Sequence, residues 1–74
     1  MKACEAVKEI MKANGVRVVD LRKRIGLESN TMVGRLNQEN ISVAKLNEML
    51  RAMDYKVVIV PSDKRVNAGE YEVE

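Results

Sequence analysis

This chain has no histidine, one cysteine and one proline. The single cysteine, Cys4, forms no disulfide framework, and without histidine it lacks the partners of a cysteine-rich metal site. The carboxylates have only the spacing of ordinary helix surfaces, no glycine loop is suited to phosphate, and the chain is too short for a deep pocket. We therefore expect no enzymatic activity, metal, cofactor or small-molecule ligand, and we interpret Cys4 as a small residue on a helix face.

Long hydrophobic runs are also absent. No apolar run approaches the roughly 20 residues of a membrane span, and Met1-Lys2 is not followed by the hydrophobic region of a signal peptide. We therefore expect a soluble, cytoplasmic protein without a membrane partner. The 74 residues suffice for one core. Because so small a domain buries only about 60% of the surface of its unfolded chain, oligomerisation is the remaining source of extra stability.

The net charge of +2 is unevenly distributed. Residues 1–58 contain eleven Lys and Arg against seven Asp and Glu, whereas residues 59–74 contain two against four. The first part is therefore basic and the tail acidic. Any contact with a polyanion such as DNA is expected in the first part.

Two short amphipathic patterns flank Gly26 and predict two helices joined by a turn. The first helix covers about residues 17–25 without a good N-terminal cap, and the second starts near residue 29 and extends to about Asn37, with Glu28, Ser29 or Asn30 as its cap. Their apolar positions are Val18, Leu21 and Ile25 in the first helix and Met32 and Leu36 in the second. Helices this short are marginal alone, since about 12–15 residues are needed in water. They therefore require flanking helices.

The chain predicts such a helix on each side. Residues 3–13 form the first, which Asn14-Gly15 ends. Its apolar stripe consists of Ala3, Ala6, Val7, Ile10 and Met11. Residues 43–54 form the other, with Ser42 as the N-cap and the strongest amphipathic pattern of the chain. Its apolar positions are Val43, Leu46, Leu50 and Met53.

The pattern changes after residue 54. Residues 55–60 are rich in β-branched side chains and predict a strand that Pro61 ends. Residues 70–73 alternate polar and apolar side chains, as a second strand does. We therefore predict a mainly α protein with a four-helix domain, residues 1–54, and a C-terminal β-hairpin, residues 55–74. Because two strands alone are marginally stable, the hairpin packs on the helices or pairs with a second subunit.

Six residues at the core spacings of a known family carry a resemblance: Leu21, Ile25, Gly26, Leu27, Thr31 and Met32. On these residues the chain resembles the Cro/repressor-type (XRE) helix-turn-helix family of phage and bacterial regulators, over residues 3–54. Residues 35–61, RLNQENISVAKLNEMLRAMDYKVVIVP, are similar to a subgroup in which a strand follows the fourth helix directly. The resemblance implies that the third helix enters the DNA major groove, while the starts of the second and fourth helices contact phosphates.

The residues suit those roles. Asn would bond an adenine edge bidentately, Ser either bonding partner, and Val a thymine methyl. The expected base contacts are Ser29, Asn30, Val33, Gly34 and Asn37. The expected phosphate contacts are Arg17, Arg35, Gln38, Asn40, Ser42 and Lys45.

Structural alternatives stay open for several of these residues. Asn30 is also suited to a helix cap and Val33 to an ordinary surface position. Gly34, which costs about 1 kcal/mol in a helix relative to Ala, permits close approach either to DNA or to another helix. The basic run 22–24 suits a DNA contact or, more commonly, a solvated face that caps the helix dipole.

Two functions follow, from different classes. The first is a sequence-specific transcriptional regulator that binds an inverted repeat as a homodimer, with half-sites about 34 Å apart. Its expected dimer interface is Tyr55, Val57, Val58, Ile59 and Val60. The second is a protein-binding module on a helix-turn-helix scaffold that inhibits a host or defence protein. Three features of the sequence favour this second function. They are Arg22, at a position where the family has a small residue; the acidic Glu28, beside the expected phosphate surface; and the acidic tail.

Overall fold

The computed structural model describes residues 1–74 and contains four helices and no strand. These helices are α1 (Ala3–Asn14), α2 (Val18–Ile25), α3 (Ser29–Leu36) and α4 (Val43–Arg51). The prediction of a mainly helical protein with four helices is therefore confirmed. None of the four has the length and apolar character that crossing a membrane requires.

Each helix contributes one fully buried side chain to a common core: Val7, Leu21, Met32 and Met49, from α1 to α4 in turn. Around these four lie further apolar residues of all four helices. Both α3 and α4 pack on α1 and α2. Because α2 and α3 have only eight residues each, this shared burial is what stabilises them.

Glycines end the first two helices, as predicted. Gly15 and Gly26 have φ of 65° and 89°, the left-handed region in which a side chain is strained. Beyond each glycine, the next amide closes the helix end: Val16 N–H donates to Met11 O and Leu27 N–H to Arg22 O, both at 2.9 Å. The turn around Gly26 therefore has the geometry that its sequence predicts.

Two apolar positions predicted for the core are exposed. Val43 is 67% exposed and Val18 is 37% exposed, and both occupy the first position of their helix. Helical side chains lean toward the N-terminus, so a side chain at this position extends past the helix start and not over the core. The inner face of α4 instead includes Met49, which the predicted stripe omitted, and the helix ends at Arg51, not at residue 54.

The predicted C-terminal strand and hairpin are wrong. Residues 55–74 contain no strand, and no backbone hydrogen bond joins residues 56–60 to any part of the chain. The tail is instead fastened elsewhere: Glu74 N–H donates to Met1 O at 2.9 Å, and the Met1 ammonium donates to Glu72 O at 3.3 Å. Residues 72–74 therefore bond to Met1, and residues 55–60 have no partner strand.

A matched pair of truncations tests this core. Met49→Ala should lower the free energy of unfolding by about 2–5 kcal/mol, because it leaves a cavity at a fully buried position. Val43→Ala should change it by less than about 0.5 kcal/mol, because the side chain is exposed. Urea unfolding followed by circular dichroism measures both. Equal losses for the two variants would contradict the packing of α4 described above.

Candidate nucleic-acid interface

The five expected base-contacting residues lie together on the outer side of α3 and at its C-terminal end. Met32 and Leu36 face the core, and the opposite side of the helix is solvent-exposed. The exposed residues are Ser29, Asn30, Val33, Gly34 and Asn37. None of them carries a charge, and Val33 is 47% exposed. The surface therefore offers hydroxyl, amide and methyl groups without a charged side chain among them.

Gly34 is not a helix-packing glycine. A Cβ placed there would meet no atom within 4 Å outside its own helix backbone. Of the two alternatives left open by the sequence, close approach to a neighbouring helix is therefore wrong. The position faces open space on the same surface as Val33.

The side chain of Asn30 does not cap α3. Glu28 occupies the N-cap position, with no side-chain hydrogen bond to the helix, and Asn30 lies inside the helix as an exposed residue. No hydrogen bond within the chain involves the Asn30 amide. Its donors and acceptor are therefore available to a partner molecule.

The start of α4 presents an exposed polar group of expected phosphate-contacting residues. Ser42 is the N-cap, as predicted, and its Oγ accepts a hydrogen bond from Lys45 N–H at 3.2 Å. Gln38 and Asn40 lie in the connector before it and are exposed. The Lys45 ammonium has no carboxylate partner in the chain, which leaves its charge free.

Arg17, at the start of α2, is held by Asp20. Its Nε and Nη2 donate to the two carboxylate oxygens of Asp20 at 3.0 and 3.1 Å, and its backbone N–H donates to Asp20 Oδ2 at 3.0 Å. The expected lack of a capping side chain at Arg17 is confirmed, because its side chain accepts no hydrogen bond from the helix. The bond from the Arg17 amide to Asp20 is the part of the cap that sequence reasoning missed. The signal was an acidic residue three positions after the N-cap, which reaches back to the N-cap amide. These hydrogen bonds hold the pKa of Asp20 below its usual range.

Arg35 is placed differently from the other expected phosphate contacts. Its Nη1 forms an ion pair with Glu48 Oε1 of α4, and its side chain is only 14% exposed. Its backbone carbonyl accepts a hydrogen bond from Cys4 Sγ of α1 at 3.1 Å. Arg35 thus contacts two other helices, and its guanidinium is directed toward a carboxylate within the chain.

Two of the three side chains in the basic run 22–24 donate hydrogen bonds to backbone carbonyls within the chain. The half-buried Arg22 donates to Leu27 O at 3.4 Å, across the turn between α2 and α3. Arg24 donates to Ala52 O at 3.2 Å, directly after α4. Only Lys23 is exposed without such a bond. The contacts of the two arginines therefore favour the structural interpretation of this run.

Cys4 is buried on α1, in agreement with its interpretation as a small packing residue. Burial raises the pKa of its thiol, although Lys8 nearby opposes this. The thiol donates to a backbone carbonyl and is therefore a structural group of the core.

The expected dimer residues differ in exposure. Tyr55 is half-buried against the core, and its hydroxyl accepts from Asn14 Nδ2 at 3.4 Å. The next apolar residues, 57–60, are all exposed, and Ile59 is 98% exposed. These four side chains, with the unpaired backbone of residues 56–60, form the most apolar uncovered segment of the chain.

Comparisons with protein-family models, curated proteins and solved structures found no match to the chain.

The cap at the start of α2 predicts a pH dependence. Because folding lowers the pKa of Asp20, the carboxylate contributes stability above the ordinary aspartate pKa of about 3.9, and this contribution is lost as the pH falls through the lowered value. Asp20→Asn should therefore lower the melting temperature at pH 7, and the difference from the unaltered protein should shrink toward pH 3. Glu9→Gln, an exposed carboxylate without a partner, is the control. A difference independent of pH would contradict the role of the charge.

Proposed function

We propose that the chain is a sequence-specific DNA-binding transcriptional regulator of the Cro/repressor helix-turn-helix type. The observation that carries the proposal is the uncharged, exposed side of α3, whose other side is buried by the remaining helices. In such a unit, α2 and α3 form the helix-turn-helix and α3 enters the major groove.

Base recognition would come from the exposed side of α3. The Asn30 amide offers the donor and acceptor pair that matches the N6 and N7 positions of adenine, and Val33 offers an apolar surface to a thymine methyl. Gly34, open to solvent, lets the DNA approach the helix backbone. Each good bidentate contact contributes about 1–3 kcal/mol of discrimination between bases.

Phosphate binding would come mainly from the starts of α2 and α4. The backbone N–H groups at these helix starts favour anions, and Lys45 adds a free positive charge beside Ser42. Gln38 and Asn40 add neutral donors. Arg17 would contribute through the guanidinium hydrogens that Asp20 does not use. This set is small, so the affinity depends on two subunits binding together.

The segment 56–60 would supply the dimer contact. Its backbone has no hydrogen-bond partner within the chain, and its β-branched side chains suit a strand. Antiparallel pairing of two such segments across a two-fold axis would bond one edge of each backbone and bring Ile59 into cross-strand contact with apolar side chains of the partner. The two α3 helices would then address half-sites about 34 Å apart on one face of the DNA.

DNA binding is tested with a library of random-sequence duplexes, from which bound sequences are selected and sequenced. We expect enrichment of an inverted repeat. Affinity for it should fall by about 10³–10⁵ between 50 and 200 mM salt if the dimer makes 6–10 phosphate contacts. The double variant Asn30→Ala/Val33→Ala should lose the preference for the selected sequence and keep its residual binding to random DNA, because the phosphate contacts remain.

Glu9→Ala, on the exposed side of α1, is the matched control and should bind as the unaltered protein does. Absence of any DNA binding at low salt would refute the proposal. It would favour the alternative, a protein-binding module on the same scaffold that inhibits a host or defence protein.

The dimer contact is tested by Ile59→Lys. Sedimentation equilibrium should give the mass of a dimer for the unaltered protein and of a monomer for the variant, because lysine removes the apolar cross-strand contacts of Ile59 and places two like charges on one face of the strand pair. The fold should be unaffected, since Ile59 is 98% exposed. Val66→Lys, an exposed valine outside the segment, should remain dimeric. A dimeric Ile59→Lys variant would exclude this segment from the interface.

A further inference from the structure

We propose that Glu48 is a positioning residue for DNA recognition: through Arg35 it fixes α3 relative to the start of α4 and keeps the Arg35 guanidinium from the phosphates. The inference rests on the proposed function, because it concerns how the same surface distinguishes specific from random DNA. The sequence alone indicates no role for Glu48.

The ion pair is a direct polar link between α3 and α4, two helices whose backbones are not in close contact. Both α3 and α4 pack on α1 and α2, and their own backbones do not approach one another. Arg35 lies in the last turn of α3 and Glu48 in the middle of α4, and their side chains form an ion pair. The shared core places both helices against α1 and α2, and this pair adds a polar link from α3 to α4 at the surface.

That orientation matters because the two helices carry different parts of the proposed interface. Val33 and its neighbours on α3 address bases, whereas Ser42 and Lys45 at the start of α4 address phosphates. Glu48 lies three residues after Lys45, and side chains three apart are neighbours on a helix surface. The pair thus joins the helix that carries the proposed base-reading groups to the helix that carries the proposed phosphate-binding groups.

The pair also controls the charge beside the reading surface. Arg35 directly follows Gly34, so an unpaired guanidinium there would attract the phosphates of any sequence. With Glu48 as its partner and 14% of the side chain exposed, this charge is neutralised and largely covered. The surface then discriminates by its neutral groups. The backbone of Arg35 is also bound to α1, because the Cys4 thiol donates a hydrogen bond to Arg35 O.

The test is Glu48→Gln, measured on the selected inverted repeat and on random-sequence duplexes over a range of salt concentrations. Release of Arg35 should add one phosphate contact per subunit, so the slope of log K against log [salt] should become steeper by about 0.9 per subunit. The ratio of specific to random affinity should fall by a factor of about 5–150, the factor for one lost bidentate base contact.

Two controls separate positioning from general charge and from folding. Glu9→Gln removes one exposed negative charge without a partner, and should change neither the affinity ratio nor the slope by these amounts. The exchange Arg35→Glu/Glu48→Arg keeps the net charge and restores an ion pair between α3 and α4. It should recover the affinity ratio and the slope of the unaltered protein, with the same helical content by circular dichroism.

The inference is wrong if Glu48→Gln leaves both the ratio and the slope unchanged. It is also wrong if the folded exchange variant behaves like Glu48→Gln. Failure of the proposed function is a different outcome, because the unaltered protein would then show no sequence preference at all.

Discussion

Four side chains from four helices meet in one core, and the rest of the molecule depends on this meeting. Val7, Leu21, Met32 and Met49 are each fully buried, although the helices that carry two of them have only eight residues. Such short helices do not persist alone, so the shape of α3 is a property of the whole domain. Which side of α3 is exposed is fixed, because Met32 and Leu36 on its other side are buried in the shared core.

The arginines of the helical domain mostly hold the fold together. Arg17 is bonded to Asp20, Arg22 and Arg24 donate to carbonyls at helix ends, and Arg35 pairs with Glu48. A basic composition therefore does not translate directly into a basic binding surface. In the proposed complex, attraction to phosphates would come from Lys45, Arg17 and the helix starts, while selectivity would come from a neutral surface.

Much of the fold could be predicted from the sequence. The apolar spacing indicates each helix, and the glycines at residues 15 and 26 indicate where the first two helices end. The apolar periodicity wrongly placed Val18 and Val43 in the core, because it does not show which residue is the first of a helix. The strand at residues 55–60 failed for another reason: β-branched composition indicates a strand only if a partner exists. The exposed side of α3 was predicted correctly, whereas the Arg35–Glu48 pair joins residues 13 apart, which no local pattern reveals.

The uncovered segment 56–60 also bears on the tendency of the chain to aggregate. Five consecutive backbone units without hydrogen-bond partners and four exposed β-branched side chains have the features of a template for uncontrolled strand stacking. Lys56 at one end carries a charge, and Pro61 at the other lacks an amide hydrogen. Such residues act as gatekeepers against aggregation. They bound the uncovered segment on both sides, so a longer run of uncharged, strand-forming residues does not develop there.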